Sequence, residues 1–153
     1  MEQLLKKYNE DFVVFLEAGF IAVNQMDEAN ATKLFNAAEL LKPANNVLPE
    51  VGKGYLQLHL LNLKEAAKCF ENVLKKEPDN EMAKTFLGIS LSWMPKEVIK
   101  GEKILAETRN SSDKTVKKLS NTAITFVDKF IKKEASPLAV KKVKKSAKHQ
   151  PRR

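Results

Sequence analysis

The chain has 153 residues and a formal net charge of +8, from 27 Lys and Arg against 19 Asp and Glu, with 43% of residues hydrophobic and 30% charged. That length predicts one domain with an ordinary core, and that balance is globular rather than disordered. A single cysteine, Cys69, and two histidines exclude an internal disulfide scaffold and argue against a structural zinc site, and no apolar run approaches the ~18 residues of a membrane span. The first residues carry Glu2, Glu10 and Asp11 and lack the layout of a signal peptide, so a cytoplasmic location is expected.

Apolar periodicity predicts seven helices, over 2–24, 27–41, 48–61, 63–76, 80–93, 95–108 and 113–134. Asp27 and Asp113 are good N-caps, and Pro49 and Pro95 suit a first helical turn. The stretch Glu77-Pro78-Asp79-Asn80 is polar and breaks a helix. No alternating pattern is long enough for a strand, so the fold class is all-α. At Ser136-Pro137 the composition changes. From 135 to 153 there are seven basic residues and no acid, which leaves about +1 for 1–134. The domain division is therefore a helical body, 1–134, and a basic tail, 135–153, predicted to be disordered.

The body repeats itself at a spacing of 35 residues: Gly19 and Gly54, Ala31 and Ala66, Phe35 and Phe70, Pro43 and Pro78 all align. A weaker third copy has Gly88 as its glycine, with Gly101 and Leu105 in the places of the alanine and phenylalanine. Each copy reads as two helices. The first carries a glycine that permits close approach, and the second carries A-x-x-x-F, which sets the ring on the same face as the alanine. Such hairpins bury their faces by stacking on one another.

The pattern Gly54…Ala66-x-x-x-Phe70…Pro78 resembles the tetratricopeptide repeat over roughly 12–109. The resemblance implies a helix-hairpin solenoid of about three repeats, with the helix at 113–134 as a C-terminal cap. The sequence departs from that pattern. The spacing is 35, the third repeat has an extra residue in its turn, and Glu50, Lys53 and Gln57 stand where apolar or small residues are usual. The rotation of the helix at 48–61 is left open by about one residue.

In that family the first helix of each pair lines a concave groove. Carried over, those positions are Val13, Leu16, Phe20, Val23 and Asn24 in the first repeat. The second supplies Leu48, Val51, Tyr55, Leu58 and His59, and the third Met82, Thr85, Ile89, Ser92 and Trp93. Eleven of these fifteen are apolar or aromatic. A strip like that needs a cover, since single proteins rarely leave large contiguous apolar areas in water. An amphipathic partner helix would supply one. Burying ~600 Å² would contribute on the order of 15 kcal/mol before the costs of binding. An apolar stripe at helical spacing also reads as internal core.

No catalytic constellation is legible, so an enzyme is not expected. His59 and Cys69 lack a supporting acid or oxyanion donor, and Gly52-Lys53-Gly54 lacks the spacing of a phosphate loop. Nothing calls for a metal, a cofactor or a small-molecule substrate. The tail, with Lys141-Lys142-Val143-Lys144-Lys145, invites nucleic acid but has no interleaved aromatic residue to stack on a base, which argues against that partner.

Gly54-Tyr55-Leu56-x-Leu58, Glu65-Ala66-Ala67, Ala83-Lys84-x-Phe86-Leu87-Gly88 and Trp93-Met94-Pro95 together resemble the tetratricopeptide chaperones of bacterial type III secretion. Within them they are closest in look to the needle-subunit class, and the Lys-rich tail suits a chlamydial version. The resemblance implies that an apolar helix of the secreted needle subunit lies in the groove. It also implies that a small helical co-chaperone covers part of the first repeat, making a three-chain complex. A translocator chaperone of the same system, or a general repeat adaptor with a nucleic-acid-binding tail, are the alternative readings.

Overall fold

The structure, a computed structural model, describes residues 11–132. Seven helices follow one another: α1 (Asp11–Asn24), α2 (Glu28–Leu41), α3 (Leu48–His59), α4 (Leu63–Lys76), α5 (Glu81–Ser92), α6 (Val98–Thr108) and α7 (Lys114–Phe126). The last runs on into a π-helical turn, Val127–Ile131. No strand occurs among the described residues. The fold is all-α, and consecutive helices pair as hairpins that stack in a solenoid: α1 with α2, α3 with α4, α5 with α6, and α7 against α5 and α6. The portion of the first predicted helix before residue 11, and the tail 135–153, lie outside the described residues.

Local signals set the helix starts. Asp27 accepts from the Asn30 backbone N–H at 3.1 Å, Asn80 from that of Ala83 at 2.9 Å, and Asp113 from those of Thr115 and Val116 at 2.7 and 3.1 Å. Each removes a donor that the first turn cannot pair internally. The two hydrogen bonds from Asn30 hold the Asp27 carboxyl below its usual range. Pro49 lies at the start of α3. Pro95 does not begin α6. Five residues link α5 to α6, against three between α1 and α2 and between α3 and α4, and Pro95 lies inside that longer connection.

The repeat motif acts as a lock of rings against glycines. Phe35 is fully buried and presses on Gly19 of its own hairpin, where a Cβ would come within 2.6 Å of the ring. It presses also on Gly52 of the next hairpin, where the distance would be 2.3 Å. Phe70 repeats the first contact against Gly54, at 2.8 Å. Two glycines two residues apart thus serve two successive phenylalanines, which settles the rotation of α3. Glu50, Lys53 and Gln57 are half-buried on the helix flanks. There Glu50 accepts from Lys76 at 2.8 Å and Gln57 from Asn62 at 3.0 Å, so their polarity conflicts with nothing.

The third hairpin is built differently. Leu105 takes the ring's place, and Gly101 brings α6 so close to α5 that a Cβ there would lie 2.3 Å from the Ser92 nitrogen and 2.7 Å from the Gly88 carbonyl oxygen. Where α7 docks, it buries Val116 and Ala123 and, between them, closes a triangle of hydroxyls. Thr85, Thr108 and Ser120 are fully or almost fully buried and lie 2.7 to 3.3 Å apart. Thr85 also donates to the Glu81 carbonyl at 2.8 Å.

Candidate functional site

Helices α1, α3, α5 and α7 turn one side toward a common concave face. The repeat offset sorts their residues into rows. Leu16, Val51 and Thr85 form one row, and Val23, Leu58 and Ser92 another, and all six are buried. Leu16, Val23 and Val51, expected in the groove, therefore belong to the interhelical core, as do Thr85 and Ser92. The physical reason is helix rotation. Each stands three or four residues from Phe20, Tyr55 or Ile89, about 40–60° around its helix on one flank or the other, where its side chain is buried against a neighbouring helix rather than left in solvent.

The remaining rows make the surface. Val13 and Leu48 are exposed toward the helix N-termini, and Met82, in the same row, is half-buried. Phe20 packs edge-on to Phe35 at 5.3 Å and lies 5.7 Å from Tyr55. Tyr55 lies 4.4 Å from His59 and 5.4 Å from Phe86, and its hydroxyl donates to Asn24 at 3.1 Å. Partial burial raises the Tyr55 pKa, so the phenol stays a donor.

Five of the expected groove positions, Tyr55, Leu58, His59, Ile89 and Trp93, come together in the wall of one apolar cavity of about 550 Å³. Phe86, Leu61 and three residues of α7 (Leu119, Ala123 and Phe126) complete the apolar wall and were not among the expected positions. The offset of 34 that maps Tyr55 to Ile89 and His59 to Trp93 sets Phe86 in the place of Gly52, so the repeat frame reads it as a packing position rather than as groove wall. The α7 residues lie beyond the last repeat, so no repeat frame reaches them. Leu61 was expected inside the helix at 48–61, but that helix ends at His59 and Leu61 sits in a left-handed turn after it.

The wall carries two local costs. Trp93 Nε1 is buried without a hydrogen-bond partner among the described residues, a group that costs roughly 1–3 kcal/mol when left so. Leu61 has a φ of 58°, in the left-handed region that favours glycine, and yet is 65% exposed. Met26 is its counterpart one repeat earlier, with a φ of 60° and 67% exposure, and it does not line the cavity.

The structure separates His59 from Cys69. His59 faces the apolar cavity, whereas Cys69 is half-buried beside Thr32, Lys53 and Gln57. Burial, with Glu50 and Glu65 nearby, pushes the Cys69 thiol up, away from the thiolate a nucleophile needs. Among the described residues no group of three His, Cys, Asp or Glu side chains is placed to hold a metal ion, and no helix is long and apolar enough to cross a membrane. A larger cleft of about 600 Å³ lies between α4 and α6, but its rim is Lys64, Lys68, Glu71, Lys96 and Lys100, mostly solvated side chains of both signs.

No family model, curated protein or solved structure matches the chain.

Proposed function

We propose that the chain is a non-enzymatic helix-binding protein, a chaperone that takes an apolar helix of a partner into its concave face. The observation that carries this reading is the aromatic and aliphatic cavity closed by α3, α5 and α7, with Tyr55, Ile89 and Trp93 in its wall. Grooves of this kind hold amphipathic helices through a few large anchors. Within that reading, the resemblance of the sequence to type III secretion chaperones makes the needle subunit the first partner to test, held monomeric in the cytoplasm together with a small helical co-chaperone. A translocator of the same system is the second.

The test is assembly. Mixed with the needle subunit of its own genome, the chain is expected to co-elute with it on gel filtration and suppress its polymerisation. Tyr55→Asp and Trp93→Asp are expected to abolish this while the circular-dichroism melt stays cooperative. Polymerisation at an unchanged rate would remove the needle subunit as the partner. A collapsed melt in both variants would place those residues in the core.

A further inference from the structure

The apolar cavity does not end at α7. Two hollows adjoin it there and share its walls. Leu119 and Thr122 are common to the cavity and the first hollow, and Thr122 and Phe126 to the cavity and the second. Their remaining walls bring in charge of one sign. Lys114 and Lys118 line the first, Lys118 and Lys129 the second, and no carboxylate lines the cavity or either hollow among the described residues. Helix α7 carries no acid from Lys114 to Phe126. None of the three lysines is paired with an acid among the described residues, and the nearest carboxylate in sequence to Lys129, Asp128, is held by Lys132 at 3.0 Å. All three are exposed.

An apolar floor with a one-signed lip recognises a particular kind of helix. We infer that the helix bound in this groove has an acidic edge: an apolar face that fills the cavity, and Glu or Asp along the flank that meets Lys114, Lys118 and Lys129. The inference rests on the helix-binding reading and adds the charge pattern and the orientation of the occupant. Complementary charge at a rim sets register and speeds encounter more than it adds affinity. The three lysines lie along one side of α7 and the π-helical turn that continues it, so they select which flank of the helix faces them. A nucleic-acid strand would satisfy the lysines but not the cavity, whose wall of Leu58, Ile89, Leu119 and Ala123 offers a phosphate backbone no partner.

The experiment uses the full chain and two synthetic helical peptides about 20 residues long, roughly five to six turns. Both have the same Leu/Ile face, and one has Glu and the other Lys along a single flank. Fluorescence anisotropy is read at about 50 and 300 mM NaCl, where screening differs strongly. The Glu-edged peptide is expected to bind about tenfold tighter at low salt, the size of three exposed charge pairs, and to lose most of that margin at high salt. Lys114→Glu, Lys118→Glu and Lys129→Glu together reverse the preference. Lys118→Gln alone, which touches both hollows, lowers it about threefold.

Equal binding of the two peptides overturns the acidic edge and leaves the groove intact. A Glu preference that survives the triple substitution also overturns it, because the basic tail would then be the source. Displacement of the Glu-edged peptide by single-stranded oligothymidylate overturns the helix as occupant in favour of nucleic acid. Failure of both peptides to bind overturns the helix-binding reading itself.

Discussion

The first two hairpins and the last third of the molecule solve one packing problem with different atoms. In α1 to α4 each interhelical seam is a phenylalanine ring lying on glycine: Phe35 on Gly19 and Gly52, Phe70 on Gly54. In α5 to α7 Leu105 still lies on Gly88 in the ring's place, but Gly101 sets backbone on backbone against Ser92 and the Gly88 carbonyl, and Thr85, Thr108 and Ser120 set hydroxyl on hydroxyl. A ring can shift or be trimmed to admit a neighbour. A carbonyl and an amide cannot, because their positions are set by two helices at once. The C-terminal third is thus the less forgiving scaffold, and it supplies most of the cavity wall through Phe86, Ile89, Trp93, Leu119, Ala123 and Phe126. Phe126 and Phe130, 39% and 63% exposed and 5.0 Å apart, continue that wall to the end of the described chain.

The largest effect expected from this difference is at the glycines. Gly101→Ala puts a methyl against the Ser92 nitrogen and the Gly88 oxygen, and should cost about 3 kcal/mol or more. No side-chain substitution nearby should recover it. Gly52→Ala meets only the ring of Phe35 among its three nearest atoms, and should cost about 1–3 kcal/mol. In a Phe35→Leu background the added cost of Gly52→Ala should fall below about 1 kcal/mol, since the obstructing ring is gone. Urea denaturation of the single and double variants measures the coupling. Equal penalties at 52 in both backgrounds would mean that the ring is not what confines that site.

How much of this was legible follows from the same contrast. The ring-on-glycine seams repeat at a fixed spacing, so Gly19, Gly54, Phe35 and Phe70 stand out in the sequence, and Asp27 and Pro49 mark helix starts between them. Gly52 was hidden because it answers the preceding repeat's ring, a contact that a within-repeat alignment does not display. The hydroxyl seam has no sequence signature. Thr85 and Ser92 occupy rows held by Val51 and Leu58 one repeat earlier, and a polar residue in such a row reads as groove rather than core. Pro95 read as a helix start because proline suits a first turn, but the five-residue connection uses it before α6 begins. The α7 wall of the cavity follows from the docking angle of the last helix, which local propensity does not encode.

A smaller effect tests the hydroxyl seam. Thr108→Val keeps the shape but leaves Ser120 with only the 3.3 Å contact to Thr85, so it should cost about 1–2 kcal/mol. Replacing all three, Thr85→Val, Thr108→Val and Ser120→Ala, removes donors and acceptors together and should cost less than the sum of the single substitutions. Urea midpoints at constant m-value decide it. A triple loss equal to the sum would show three independent hydroxyls rather than one network.

The smallest expected effect compares the two left-handed turns. Met26 and Leu61 occupy the same place in successive hairpins, with the same φ and nearly the same exposure, and each pays in strain for a side chain that water surrounds. Glycine would relieve the strain, and its greater freedom in the unfolded chain would offset part of the gain. Met26→Gly and Leu61→Gly should each therefore raise stability by about 0.5 kcal/mol. Their effects on binding should part. Leu61 lines the cavity and Met26 does not. With the Glu-edged peptide as the probe, Leu61→Gly should weaken binding about threefold, roughly the loss of part of one apolar contact, and Met26→Gly should leave it unchanged. A protein made more stable and less able to bind by one substitution would show that the strain at Leu61 is held for its contact with the partner. Equal binding by both variants would leave Leu61 a strained turn residue like its counterpart, and would move the edge of the site inward to Trp93.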